Sequence, residues 1–352
     1  MSYLQASLQT SGAGCPVREH ERWSMKNFGI TLCLFSMIMC SGAAAADDAL
    51  QPMTIRLNWA PNVQFAGILL AQERGWYEDA GIDLTIKGRE IGALPIEEVL
   101  TGKAQIGVVG GERLIEAVST GSALKAIAAI FQKTPLCLMS KKAHGIETPE
   151  DLIGKRVGIN SPGSELMIKI VLAHQGLRFE DITPVQIGWS LQPLIDDKVD
   201  VCTAFMNDEP LTMRARGYEV TYIPAFQYGY DFYSGVYVVS EAMLREHPAL
   251  IQRFLDVTLR GWKEAFQHPD ETARLIVAQY HPDGSEQQQI ESLKLFRMLA
   301  TLGEGKKFLG MMEVQAWATG IERLYEFQQI TQSIPADEVF TLEVLENIYF
   351  QK

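Results

Sequence analysis

Four short stretches of this 352-residue chain bring together residue types that could hold a small molecule, and each ends a run that reads as a β-strand. The first runs from Asn58 to Phe65 and offers a stacking surface in Trp59, a polar contact in Asn62 and an apolar wall in Phe65. The two aromatics read equally well as caps over the core. The second is Gly110-Gly111-Glu112, where glycines let backbone N–H groups approach a ligand and Glu112 could accept from an amine. A tight turn with no ligand would look the same. The third, Ser161-Pro162-Gly163-Ser164, offers hydroxyls and free N–H groups, or ordinary helix capping. The fourth, from Phe205 to Pro210, places Asp208 and Glu209 at a helix start, where the dipole alone would favour them.

These sets suit binding better than catalysis. No nucleophile–base pair, metal-ligand cluster or cofactor loop appears among them. The phosphate-loop spacing is missing at the serine-rich turn. The six histidines lack ligand spacing, and His247, His268 and His281 precede prolines as punctuation between helices. Neither a metal nor a cofactor is expected.

The loops are positioned by an alternation of strands and helices. Residues 53–57 read as a strand, Pro61 and Asn62 force a turn, and 68–74 form a helical run. Strands at 82–86 and 105–109 and helices at 95–100 and 114–118 complete a βαβαβ pattern. Such alternation implies an α/β fold with mainly parallel sheets, whose ligands sit at the carboxyl ends of strands. Residues 124–140 read as two strands joined by a polar, proline-bearing hinge. A second α/β run follows to about residue 232, with a helix start at Thr148-Pro149 and a strand at 199–203. Ser240 then opens a helical half with runs at 248–266, 269–280, 285–302 and 313–327. Trp262 and Trp317 fall on the apolar sides of those helices and read as core.

A strand, then Asn58-Trp59-x-Pro61-Asn62, then a helix ending Ala71-Gln72-Glu73-Arg74-Gly75-Trp76-Tyr77-Glu78-Asp79-Ala80-Gly81 resembles the opening of the NMT1/THI5-like periplasmic substrate-binding proteins. Ala129-Ile130-Phe131-Gln132-Lys133-x-Pro135-Leu136 matches that family's crossover into a second lobe, and 229–239 resembles its return. The resemblance implies a periplasmic binding protein of type II, with lobe I from 47–135 and 236–352 and lobe II from 136–235. Two crossover hinges would let it close on a ligand. The implied site comprises Trp59, Asn62, Phe65, Gly110, Gly111, Glu112, Ser164, Phe205, Asp208, Glu209 and Tyr233. Glu209 matches the glutamate of the family's Asn-Glu-Pro, and Asp208 departs from its asparagine. The implied ligand is a flat heterocycle of the thiamin-pyrimidine-precursor kind, stacked by Trp59, Phe65 and Tyr233 and anchored by Glu209. The implied partner is an ABC transporter permease. A free-standing ligand sensor is one alternative. A THI5-type pyrimidine synthase is another, but those enzymes carry a catalytic histidine where this chain has Phe65, and a cysteine cluster that it lacks.

Composition agrees with an exported globular protein. The chain is 47% hydrophobic and 21% charged, which suits one or two packed domains. A net charge of -12 argues against a nucleic-acid or anionic-membrane partner. Lys26, the apolar run 30–39 and the alanines up to Ala46 predict a signal peptide over 25–46, cut after Ala46, with Met25 as the start and 1–24 as an extension. That run is too short to span a bilayer. The expected product is a monomer in the periplasm. Cys15, Cys33 and Cys40 fall in this leader, while Cys137 and Cys202 read either as a pair or as two buried thiols.

Overall fold

The computed structural model describes residues 49–351, so the expected signal peptide and the extension before it lie outside the described residues. Ten strands occur among the described residues: β1 (Gln51–Arg56), β2 (Ile82–Lys87), β3 (Ile106–Val109), β4 (Leu124–Phe131), β5 (Leu136–Lys141), β6 (Arg156–Ile159), β7 (Thr183–Gln186), β8 (Val201–Phe205), β9 (Val220–Pro224) and β10 (Ser234–Ser240). They form two five-stranded sheets, ordered β2-β1-β3-β10-β4 and β7-β6-β8-β5-β9.

The two sheets share one plan. In the first, β1 pairs in parallel with β2 and β3, and β10 runs antiparallel to both β3 and β4. In the second, β6 pairs in parallel with β7 and β8, and β5 runs antiparallel to both β8 and β9. Four strands of each sheet therefore point one way. The reversed strand is in each case the one that arrives from the other lobe. The expected α/β chain in two lobes joined by two crossovers is what forms, and each sheet is mixed because of that one arriving strand.

Burial explains which runs became strands. β3 is buried throughout and β4 nearly so, as strands covered on both faces must be. The edge strand β7 is largely exposed and tolerates Pro184, whose missing N–H would break a central ladder. β8 starts at Val201, two residues later than the sequence pattern places it. Asp200 is held outside the strand because its carboxylate accepts from the Arg156 backbone N–H (2.8 Å) and guanidinium (2.6 and 3.1 Å).

The C-terminal helices Pro248–Gln267, Pro269–Tyr280, Glu286–Ala300 and Val314–Glu326 belong to lobe I. Trp262 and Trp317 are buried in its core, the former donating through Nε1 to the Tyr237 hydroxyl at 2.8 Å. Cys137 on β5 and Cys202 on β8 are buried free thiols. The crossovers lie side by side, with Lys133 Nζ within 2.6 and 2.7 Å of the two Asp231 carboxylate oxygens. Among the described residues no helix is long and apolar enough to cross a membrane.

Candidate functional site

The carboxyl ends of β1 and β3 border a cavity of about 680 Å3. Its apolar wall is Leu94, Pro95, Ile96 and Val109; its polar groups include Asn58, Glu112 and Arg113. A smaller hollow of about 230 Å3 is lined by Lys263, Arg297, Lys306 and Lys307. It is built at helix C-termini, where the dipole favours cations, and not at strand ends.

Glu112 dominates the larger cavity. It occupies the first turn of the helix Gly111–Ser119, and its side chain folds back over Gly110. A Cβ on Gly110 would stand 2.5 Å from both carboxylate oxygens, so only glycine leaves room for that return. Burial pushes the Glu112 carboxyl up to about 7; its own backbone N–H, Arg113 and Glu116 add smaller and partly opposed effects. Gly111 has a different task from the one its sequence suggests. Its N–H donates to the Tyr233 carbonyl at 2.9 Å, fastening the turn to the second crossover and leaving that N–H unavailable to a ligand.

In lobe II, β8 leads through Asn207 and Asp208 into the helix Glu209–Ala215. Glu209 reaches back so that its Oε2 accepts the Phe205 N–H at 2.7 Å. Burial again lifts the carboxyl to about 7, opposed by that hydrogen bond and reinforced by Asp208. Phe205 is half-buried at the end of its strand. Asp208 is exposed, and its Oδ1 accepts from Thr212 Oγ1 (3.3 Å) and from Gln288 Nε2 (3.0 Å). Among the described residues no donor reaches the buried Asn207 Oδ1.

Several expected site residues have other duties. Phe65 is buried in the core of lobe I, because the turn Val63–Phe65 rotates its ring inward. It does not wall the cavity. Trp59 stays 42% exposed, its ring covered on one side by the Arg89 guanidinium at 4.6 Å. Asn62 caps the turn, its Oδ1 accepting from the Gln64 N–H at 2.8 Å. Ser164 is buried, and its hydroxyl donates to Asn160 Oδ1 at 2.5 Å and lies 2.9 Å from Ser161 Oγ, so it belongs to the helix start. The Tyr233 hydroxyl accepts from the Glu313 N–H at 2.8 Å, and its ring packs against Trp317.

Asn58, Leu94, Ile96, Arg113 and Asn207 were not singled out by the sequence pattern. Asn58 and Asn207 could have been, since each is a polar residue just past the end of a buried strand. The wall from Leu94 to Ile96 has no local signature.

The model of the family described as NMT1/THI5 like matches residues 62–272, more than half of the chain. The chain is 26% identical over 313 residues to the riboflavin-binding protein RibY of Chloroflexus aurantiacus, covering 86% of this chain and 88% of that protein. It is 22% identical over 324 residues to the formylaminopyrimidine-binding protein of Halalkalibacterium halodurans, covering 90% of this chain and 98% of that one. Its fold is similar to that of the periplasmic aliphatic sulphonate binding protein SsuA from Escherichia coli, with a TM-score of 0.67 and 16% identity over 82% of this chain and 92% of that chain. The fold is thus that of the periplasmic binding proteins, and the chain belongs to the NMT1/THI5-like family.

Proposed function

We propose that this protein is an exported solute-binding protein that closes its lobes on a small flat heterocycle, of the thiamin-pyrimidine-precursor kind, and presents it to an ABC transporter permease. One observation carries the reading: a half-buried carboxylate, Glu112, set among apolar walls in a cavity at the strand ends. The cavity's 680 Å3 falls within the roughly 300–1,000 Å3 typical of small-molecule sites. In its ionised form, a half-buried carboxylate gains a charge-assisted hydrogen bond when a ring N–H or amino group arrives. When ionised, the same carboxylate disfavours sulfonates and other small anions next to it. The names of the two binding-protein relatives, one for riboflavin and one for formylaminopyrimidine, point to the same chemical class.

A ligand of flavin size is the second reading, favoured by a cavity larger than one six-membered ring fills. A pyrimidine synthase is disfavoured by Phe65, which stands where those enzymes have their catalytic histidine and is walled into the core.

Native mass spectrometry of protein purified without denaturation tests the proposal. The expected result is a non-covalent heterocyclic adduct, reproduced by calorimetric titration of the stripped protein with formylaminopyrimidine or riboflavin. A protein that ignores both compounds and binds an alkanesulfonate would overturn it.

A further inference from the structure

Away from the cavity, which lobe I alone lines, the two lobes meet at a polar cluster. Gln288, in the first turn of the helix Glu286–Ala300 of lobe I, extends its amide into lobe II. Its Nε2 lies 3.0 Å from Asp208 Oδ1 and 2.9 Å from Thr212 Oγ1. Thr212 donates to the same Asp208 oxygen at 3.3 Å, so that oxygen accepts from both lobes. The neighbouring residue, Gln289, accepts the Val63 N–H at 3.3 Å, which ties the helix to the first strand-end loop. At its other end the Leu299 carbonyl accepts the Gln132 N–H at 3.1 Å, on the first crossover.

One helix therefore joins hinge, loop and opposite lobe. From Leu299 to Gln288 it rises by about 16 Å, at about 1.5 Å per residue. A hinge rotation of only about 10° at that radius would part Gln288 from Asp208 by about 3 Å, beyond hydrogen-bond reach. The contact can exist only while the lobes are together.

We propose that Gln288 is a positioning residue that latches the lobes through Asp208 and Thr212. It sets the balance between open and closed forms without touching the ligand. The consequence for affinity rests on the solute-binding reading: a ligand held by the closed form binds in proportion to the closed fraction. The latch is amide to carboxylate with Asp208 exposed, weak enough to be broken at each opening.

Pulsed dipolar spectroscopy on the full chain without ligand tests it. Spin labels go on a genetically encoded keto amino acid at the exposed residues Glu180 in lobe II and Glu246 in lobe I, leaving every cysteine untouched. Gln288→Ala should raise the share of long distances several-fold over the unsubstituted protein. Gln288→Glu, which sets a second carboxylate against Asp208, should raise it further. Gln287→Ala serves as the control, because that amide bonds Glu291 on its own helix at 3.1 Å, and it should change nothing. Identical distributions for the unsubstituted protein, Gln288→Ala and Gln288→Glu overturn the latch. Because no ligand is added, a failure to bind heterocycles would sink the proposed function and leave this result standing.

Discussion

At the end of β3, lobe I turns through Gly110 and Gly111 into Glu112; at the end of β8, lobe II turns through Asn207 and Asp208 into Glu209. The positions correspond, since β3 and β8 each lie between a parallel partner and the strand arriving from the other lobe. Both glutamates sit in the first turn of a helix, and burial lifts both carboxyls to about 7. Their surroundings differ. Glu209 braces its own loop through the Phe205 N–H, and Asp208 and Ser164 are likewise engaged by neighbours. Glu112 lines an open cavity, and the hydrogen bond it receives among the described residues comes from its own backbone. The same plan thus yields one half with a carboxylate left facing a cavity and one half whose polar groups mostly hold themselves.

The largest effect expected bears on the contrast inside lobe I between Phe65 and Trp59. Phe65→Ala should destabilise the fold by about 3–5 kcal/mol, read from thermal or denaturant unfolding, because it empties a core site. Trp59→Ala should leave the unfolding midpoint nearly unchanged. A Phe65→Ala protein that melts normally but no longer binds would reverse the two assignments.

Next comes pH. Each glutamate has an ordinary value of 4.5 when unfolded and about 7 when folded, so the folded state holds the extra protons between those limits. Stability should fall as pH rises from about 4.5 to about 7, by an amount on the order of 2–3 kcal/mol per carboxyl. Glu112→Gln and Glu209→Gln should each flatten part of that slope in unfolding measured from pH 5 to 8. If neither variant changes the slope, the carboxyls are not desolvated as described. Asp200 works the other way: hydrogen bonds from Arg156 hold its carboxyl below the usual range, and that contribution is lost only in stronger acid.

A third test separates the two glutamates directly. Glu112→Gln should weaken binding of the heterocycle found by mass spectrometry by about 1.5–3 kcal/mol, through loss of a charge-assisted hydrogen bond. Glu209→Ala should act first on stability, by about 1–3 kcal/mol, because it strands the Phe205 N–H. Equal affinity losses with unchanged stability would erase the distinction between the lobes. Smallest is Trp59→Ala on affinity: its ring lies outside the cavity lining, so a loss of about 1–3 kcal/mol from stacking shows in the same titrations only if closure brings the ligand against its free face.

Much of the fold could be read from the chain because its signals are local. Strand runs, turn prolines and the helices after Ser240 all announce themselves within a few residues. The site was legible only by residue type. Glu112 and Glu209 stood out as carboxylates at strand ends, yet nothing local tells that one lines a cavity while the other braces a loop. Trp59 and Phe65 share one loop, and a single turn decides which ring goes inward. Asp208 reads as a ligand contact until Gln288, far along the chain, claims it. Leu94 to Ile96 form a wall only because β1 and β3 bring them opposite Asn58 and Val109.

The reversed strand in each sheet has a consequence for how the molecule is made. β3 and β4 are not neighbours; β10 lies between them. A chain emerging from its N-terminus has all five strands of the second sheet once Pro224 is out, yet the first sheet is still in two pieces. The lobe begun first must wait for Ser240 before it can close, and the closure of so long a loop is slow. The inserted lobe is complete earlier and can act as the template that brings the two crossovers together. Sheet assembly would then run from the inside of the sequence outward, although every residue lining the lobe I cavity lies between Asn58 and Ala117.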